Sequence, residues 1–330
     1  MRRFILLILL FLVAVGIILY GPSGLLKPLN VNEGTAFIIK KGDSTLSIAQ
    51  SLKEQKILSN SIGFLAGAVF FKLKNQPLKH GEYLVEPKIS LWKFIKKITK
   101  GKVIVHYVTI PEGLTVYEIS KKLEDISILT GTIDILPQEG SLLPQTYDYY
   151  WGDSRQYILQ RMAKAMDALK NKVWANHELP ADLEGCGLKS WEDVLNLASI
   201  VEKETGLPAE RDLVASVYLN RLKINMPLQA DPTVIYAITK GQTSFYRPIF
   251  KGDLSTNSPY NTYLQKGLPP TPISCPGEAS IMAVLKPAQT SYLYFVASGT
   301  GGHEFSVDLK THNKNVRNLR QIEKQRKIQP

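Results

Sequence analysis

Apolar and polar positions follow three different periods along this chain. The first is no period at all. An uninterrupted apolar run from Phe4 to Tyr20 follows Arg2 and Arg3. It lies near the lower limit of about 17–25 residues for a bilayer-crossing helix and exceeds the roughly 7–15-residue core of a cleavable signal. No small-residue cleavage site comes after it; the next residues are Gly21-Pro22-Ser23-Gly24. The run predicts an uncleaved anchor over 1–21, with the arginines holding the N-terminus in the cytoplasm and the body outside. A cleaved signal peptide is the alternative. Residues 22–34, from Pro22 to Gly34, read as a linker.

The second pattern is a short extended stretch followed by a helical stripe, and it recurs. Ile38 to Leu58 resembles Thr109 to Leu129, with Gly42 matching Gly113, Ile48 matching Ile119 and Leu52 matching Leu123. Each copy predicts a strand, a glycine turn, a Ser or Thr helix cap and an amphipathic helix. Tyr83–Pro87 and Leu91–Ile98 form a weaker third copy. These copies place one module at 35–106, and a second strand-helix repeat with its connecting loop at 107–150.

From Glu139 a third texture begins. Tyr147, Tyr149, Tyr150 and Trp151 form an aromatic cluster. Helices are then predicted over Arg155 to Val173, over Trp191 to Thr205 with closure at Gly206 and Pro208, and over Glu210 to Leu222. Ser291–Ala297 and Glu304–Val307 read as a hairpin around Gly299 to Gly302. Residues 151–330 therefore form a mixed domain, and the whole is α+β.

Composition changes the picture modestly. In 330 residues, 40 Lys and Arg stand against 29 Asp and Glu, a net charge of +11. Behind an anchor, such charge suits anionic head groups or an anionic wall polymer better than nucleic acid. Much of it lies between Lys310 and Lys327, where a solvated helix face explains it equally well. The two cysteines, Cys186 and Cys275, exclude a disulfide-rich scaffold and leave one disulfide or two free thiols open.

One carboxylate stands where an apolar residue is expected. The stripe Val194, Leu197, Ala198 and Val201 continues to Glu204 and Thr205. Glu202 lies about 200° around the helix from Glu204, so the two cannot share a site. Burial and the negative end of the helix dipole both disfavour the ionised form of Glu204, as a general acid near neutral pH requires. The alternative is a structural glutamate paired with Lys203, Arg211 or Arg221.

Other chemistries lack their residues. The chain holds no G-x-S-x-G, no H-E-x-x-H and no phosphate-cradling glycine loop. The histidines, His80, His106, His177, His303 and His312, have no close metal-ligand spacing. Neither a metal nor a cofactor is expected. Downstream of Glu204, Gln229, Asp231, Tyr260, Asn261 and Tyr263 combine amides, a carboxylate and aromatic rings. That set suits a glycan, with sugar faces on rings and hydroxyls on amides. Ordinary loop chemistry is the alternative.

Two resemblances follow from these residues. Lys40-Lys41-Gly42-Asp43-Ser44 with Leu46, Ile48 and Ala49 resembles a LysM module, a family that binds N-acetylglucosamine polymers; a generic positioning unit is the alternative. Across most of the chain, Ala198-Ser-Ile-Val-Glu-Lys-Glu-Thr205, Glu210-Arg211, Asn220-Arg221-Leu222, Leu228-Gln229-x-Asp231-Pro232, Tyr260-Asn261-Thr262-Tyr263, Gly267-Leu-Pro-Pro270 and Gly301-Gly302-His303 resemble the YceG-like family of endolytic murein transglycosylases. Pro111-Glu112-Gly113 fits the same layout. Gln145, where the family usually has Asp, and Cys275, where Asn is usual, depart from it.

The resemblance implies a lyase without cofactor, held in the inner membrane with its catalytic part in the periplasm. It implies glycan strands of peptidoglycan as substrate and peptidoglycan synthases as further partners. Glu204 takes the catalytic position, and the cleaved MurNAc–GlcNAc bond ends as a 1,6-anhydromuramoyl group. Gln229, Asp231, Tyr260, Asn261 and Tyr263 are the expected sugar contacts. A muramidase using water, with Asp231 as second carboxylate, and a non-catalytic wall-binding scaffold are the competing expectations.

Overall fold

A computed structural model describes residues 25–174, 183, 185–243 and 245–328. The apolar run from Phe4 to Tyr20 lies outside the described residues. Among the described residues no helix is long and apolar enough to cross a membrane. The chain divides into two units.

The first unit takes the described residues up to Tyr107, together with Asp148–Asp153. It contains β1 (Thr35–Ile39), α1 (Thr45–Glu54), α2 (Ile62–Leu73), β2 (Gly81–Val85) and α3 (Leu91–Lys100). Strands β1 and β2 pair antiparallel, with Phe37 opposite Tyr83. The alternation in β1 sends Phe37 and Ile39 inward, where they meet Leu52, Phe64, Phe94 and Ile98 in one apolar core. The expected linker is corrected here. Leu29 is buried in this core, its N–H donates to the Ile89 carbonyl at 2.8 Å, and Pro28 bridges Ser90. Leu25 and Val31 pack against the same core, so the segment from Leu25 onward is docked.

The second unit holds Val108–Tyr147 and the chain from Ser154 onward. The chain passes between the units in β3 (His106–Thr109) and β4 (Thr146–Tyr149), which pair with each other. Beyond β3 comes α4 (Val116–Glu124). After β4 come α5 (Arg155–Val173), α6 (Trp191–Glu204), α7 (Arg211–Lys223), α8 (Asp231–Thr239) and α9 (Glu278–Leu285). The hairpin β5 (Tyr294–Ala297) and β6 (His303–Ser306) precedes α10 (Leu309–Ile328). The core lies among α5, α6, α7 and α9 and includes Met166, Leu197, Ile200, Val214, Ala215 and Ile281.

The recurring strand-turn-helix pattern is present in all three places. Gly42, Lys88 and Gly113 each have positive φ, at 94°, 61° and 77°. Two residues after each, Ser44, Ser90 and Thr115 cap α1, α3 and α4 through their side-chain oxygens. The left-handed residue turns the chain, and the hydroxyl then satisfies a backbone N–H that the helix leaves unpaired. The hairpin around Gly299 to Gly302 also forms as expected. Both cysteines are buried, and neither is disulfide-bonded.

Candidate active site

The site is assembled in the second unit, on the end of α6. Ser190 and Asp193 form a capping box at the start of this helix. Val194, Leu197, Ala198 and Val201 are buried along its stripe, so the register carries Glu204 to the same side. The expected closure at Gly206 is corrected. Helix α6 ends because Thr205 turns extended, with φ −138° and ψ 129°; its buried hydroxyl accepts the Leu207 N–H at 3.1 Å. Gly206 does not enter the left-handed region. Glu204 is thus the last helical residue, where the dipole opposes a negative charge.

Glu204 is partly exposed but closely surrounded by protein. Burial pushes its carboxyl up to about 7, against a lowering by the hydroxyl of Tyr218. The negative charge of Asp231 adds to the rise, and Arg221 opposes it. Tyr218, buried on α7, donates to Glu204 Oε1 at 2.7 Å. Sequence reasoning missed this tyrosine; the signal was a polar hydroxyl in the apolar face Val214, Val217, Tyr218.

None of the three cations offered as structural partners pairs with Glu204. Lys203 Nζ donates to the Gly113 carbonyl at 3.2 Å. Arg211 stands between Glu202 and Glu112, at 3.5 and 3.4 Å. Arg221, 7% exposed, gives Nε to the Leu293 carbonyl and Nη1 to the Leu228 carbonyl, and its guanidinium lies over the Tyr294 ring. Among the described residues Arg221 makes no ion pair, so its charge acts on Glu204 across space.

Glu202 is placed oppositely, as the helical wheel requires. Its Oε2 accepts the Gly277 N–H at 2.9 Å. A Cβ at Gly277 would meet the end of the Glu112 side chain, which would have to move aside. The Gly113 N–H donates to the Cys275 carbonyl at 2.9 Å, and the Cys275 N–H to the Leu114 carbonyl at 2.8 Å. The turn at Pro111-Glu112-Gly113 is thereby fastened to the back of α6.

The expected sugar contacts are brought together, with different surroundings. Asp231 opens α8, and Tyr263 donates to its Oδ1 at 2.6 Å. Tyr260 packs against Tyr236 with ring centres 4.9 Å apart and bonds Thr271 at 2.8 Å. Gln229 is exposed with φ +50°, its N–H on the Thr262 carbonyl. Asn261 is corrected. It is wholly buried; its amide donates to the Leu254 and Thr256 carbonyls, and its oxygen accepts the Tyr263 N–H. That side chain holds the loop and has no surface for a sugar. Among the described residues no group of His, Cys, Asp and Glu could hold a metal ion.

The raised carboxyl of Glu204, beside the Asp231–Tyr263 pair and the Arg221 guanidinium, has the chemistry of a group that can give and take a proton near neutral pH. The YceG-like family model matches residues 37–318, and the chain belongs to that family. It is 32% identical to the endolytic murein transglycosylase of Bacillus subtilis over 91% of this chain and 89% of that protein. It is 25% identical to the endolytic murein transglycosylase of Streptococcus pneumoniae, over 84% of this chain and 57% of that longer protein. A crystal structure of a yceG-like protein from Listeria monocytogenes superposes with a TM-score of 0.53 at 31% identity, covering 86% of this chain and 99% of that one. The chain is accordingly an enzyme of the lyase class.

Proposed function

We propose that this chain is a membrane-anchored endolytic murein transglycosylase in which Glu204 alone performs the proton transfers. The observation that carries the reading is a carboxyl pushed up to about 7, bonded to one tyrosine hydroxyl and to no cation among the described residues. Such a group is both protonated and ionised near neutral pH, as an acid that later serves as base requires. A glycoside hydrolase sets a second carboxyl about 5–5.5 or 6.5–9.5 Å away to attack or to activate water. Asp231 is the carboxylate whose charge reaches Glu204, and the Tyr263 hydroxyl occupies one of its oxygens.

Protonated Glu204 gives its proton to the glycosidic oxygen between N-acetylmuramic acid and N-acetylglucosamine. The bond from that oxygen to the muramoyl C1 breaks. The muramoyl C6 hydroxyl bonds to C1 and returns its proton to Glu204. No water is consumed, and the new end is 1,6-anhydromuramoyl. Between the two transfers the Glu204 carboxylate is supported by the Tyr218 hydroxyl and the Arg221 charge. Gln229, Asp231, Tyr260 and Tyr263 are the sugar contacts, and Asn261 holds their loop.

The apolar run from Phe4 to Tyr20 anchors the chain in the inner membrane with the site outside, where peptidoglycan synthases supply fresh strands. In the first unit a groove of about 680 Å³ runs between the Lys40–Thr45 turn and the Lys72–His80 segment. That groove suits the N-acetylglucosamine polymer that the LysM resemblance implies.

The test compares the full chain with its Glu204→Gln variant on uncrosslinked strands. The wild type is expected to give anhydro ends, and the folded variant to leave strands intact. Comparable cleavage by the folded variant overturns the assignment. Reducing ends from the wild type would favour a muramidase with Asp231 as second carboxylate.

A further inference from the structure

A second concavity lies in the catalytic unit, beside the acid but on other faces of its helices. Its volume is about 250 Å³, and Thr115, Glu118, Lys203, Ile235, Tyr236 and Phe245 contribute to its wall. Lys203 precedes Glu204 on α6. Pro232, also in the wall, follows Asp231 on α8. The pocket is therefore one residue removed from the acid on one helix and from the carboxylate–tyrosine pair on the other.

Its chemistry differs from a sugar site. Ile235, Phe245 and Ile273 make it apolar, and two opposite charges share its wall without pairing. Lys203 uses one donor on the Gly113 carbonyl and keeps the rest. Glu118 accepts the Thr115 N–H through Oε2 and keeps Oε1. Among the described residues neither forms an ion pair. The wall is also fixed in place. Thr115 Oγ1 donates to the Gly241 carbonyl at 2.7 Å, and Glu139 accepts the Val116 N–H at 2.9 Å. The second strand-helix repeat thus builds part of this pocket.

A volume below the roughly 300–1,000 Å³ of ordinary ligand sites takes about two residues of a larger ligand, the rest lying outside the pocket. Every muramoyl residue of murein carries a peptide with two such consecutive residues on its lactyl ether. Its short stem peptide begins with a small apolar residue. A residue with a free carboxylate follows, and then one with a side-chain amine. We propose that this pocket is the stem-peptide subsite, with Lys203 facing the stem carboxylate and Glu118 the stem amine. The inference rests on the murein reading above. It assigns to the chain a requirement that strands carry their stems.

The test titrates the full-length protein in detergent with lactoyl-alanyl-γ-glutamyl-lysine, and measures kcat/KM on strands with stems and on strands stripped of them. Ile235→Trp fills the pocket, and Lys203→Met removes its cation. The wild type is expected to bind the peptide and to favour stem-bearing strands by about tenfold, the scale of one hydrogen bond to a charged group. Both variants should lose most of the binding and of the preference. Peptide affinity indifferent to Ile235→Trp, or equal kcat/KM on the two strands, overturns the inference. Failure of the Glu204 chemistry would look different: strands uncleaved or hydrolysed by a wild type that still binds the peptide in an Ile235-dependent way.

Discussion

Two faces of α6 handle a glutamate in opposite ways. On one, Glu202 has a 6% exposed side chain, shares Arg211 with Glu112, and receives the Gly277 N–H. On the other, Glu204 has a tyrosine hydroxyl and, among the described residues, no paired cation, and its carboxyl is pushed up to about 7. Two residues of sequence separate a structural clamp from a raised carboxyl. The difference lies in what the neighbouring elements offer. The Glu202 side is closed by a loop with backbone N–H groups and an arginine. The Glu204 side faces a buried hydroxyl and an arginine already committed to carbonyls.

The sharpest break of this contrast is Glu204→Gln. Removing the group that both gives and recovers the proton should cut strand cleavage by about 10³-fold or more, measured by product release from uncrosslinked strands. Glu202→Gln should act on stability instead. It leaves Arg211 and the Gly277 N–H short of their carboxylate, a loss of about 2 kcal/mol in denaturant unfolding. Rates per folded molecule should change only a few-fold.

A third effect separates the two faces by pH. The folded Glu204 holds its proton up to about 7 against 4.5 for the ordinary group, so the folded chain binds more protons between those values. Stability from this group is complete below pH 4.5 and is lost as pH rises towards 7. Glu204→Gln removes that loss, so at pH 8 the variant should be more stable than the wild type by about 1–3 kcal/mol. The gain should vanish at pH 4. Thermal melts at both pH values check this. The smallest effect concerns Tyr218→Phe. Its hydroxyl favours the ionised Glu204, so losing it raises that pKa further. The alkaline limb of kcat/KM should move up by about one pH unit.

The contrast itself was legible in the sequence, because helical spacing separates Glu202 from Glu204 without any tertiary information. The capped turns at Gly42 and Gly113 were legible for the same local reason, a glycine followed two positions later by a hydroxyl, whereas the third turn is made by Lys88, which no glycine announced. What was not legible depends on distant residues. Tyr218 reaches Glu204 only because α7 packs on α6. Asn261 looked like a sugar contact by residue type, and its burial is decided by carbonyls at Leu254 and Thr256. Gly206 looked like a helix cap, but Thr205 ends the helix by turning extended. Leu29 looked like linker, and an open apolar edge near Ile89 takes it in.

The central claim is that one carboxyl suffices because the substrate supplies its own nucleophile. Cleavage in water enriched in oxygen-18 tests it most directly, by the masses of the new strand ends. The account predicts anhydro ends that carry no oxygen-18, with summed product mass equal to that of the starting strand. Ends heavier by one labelled water would contradict it and would require a second carboxylate to activate that water.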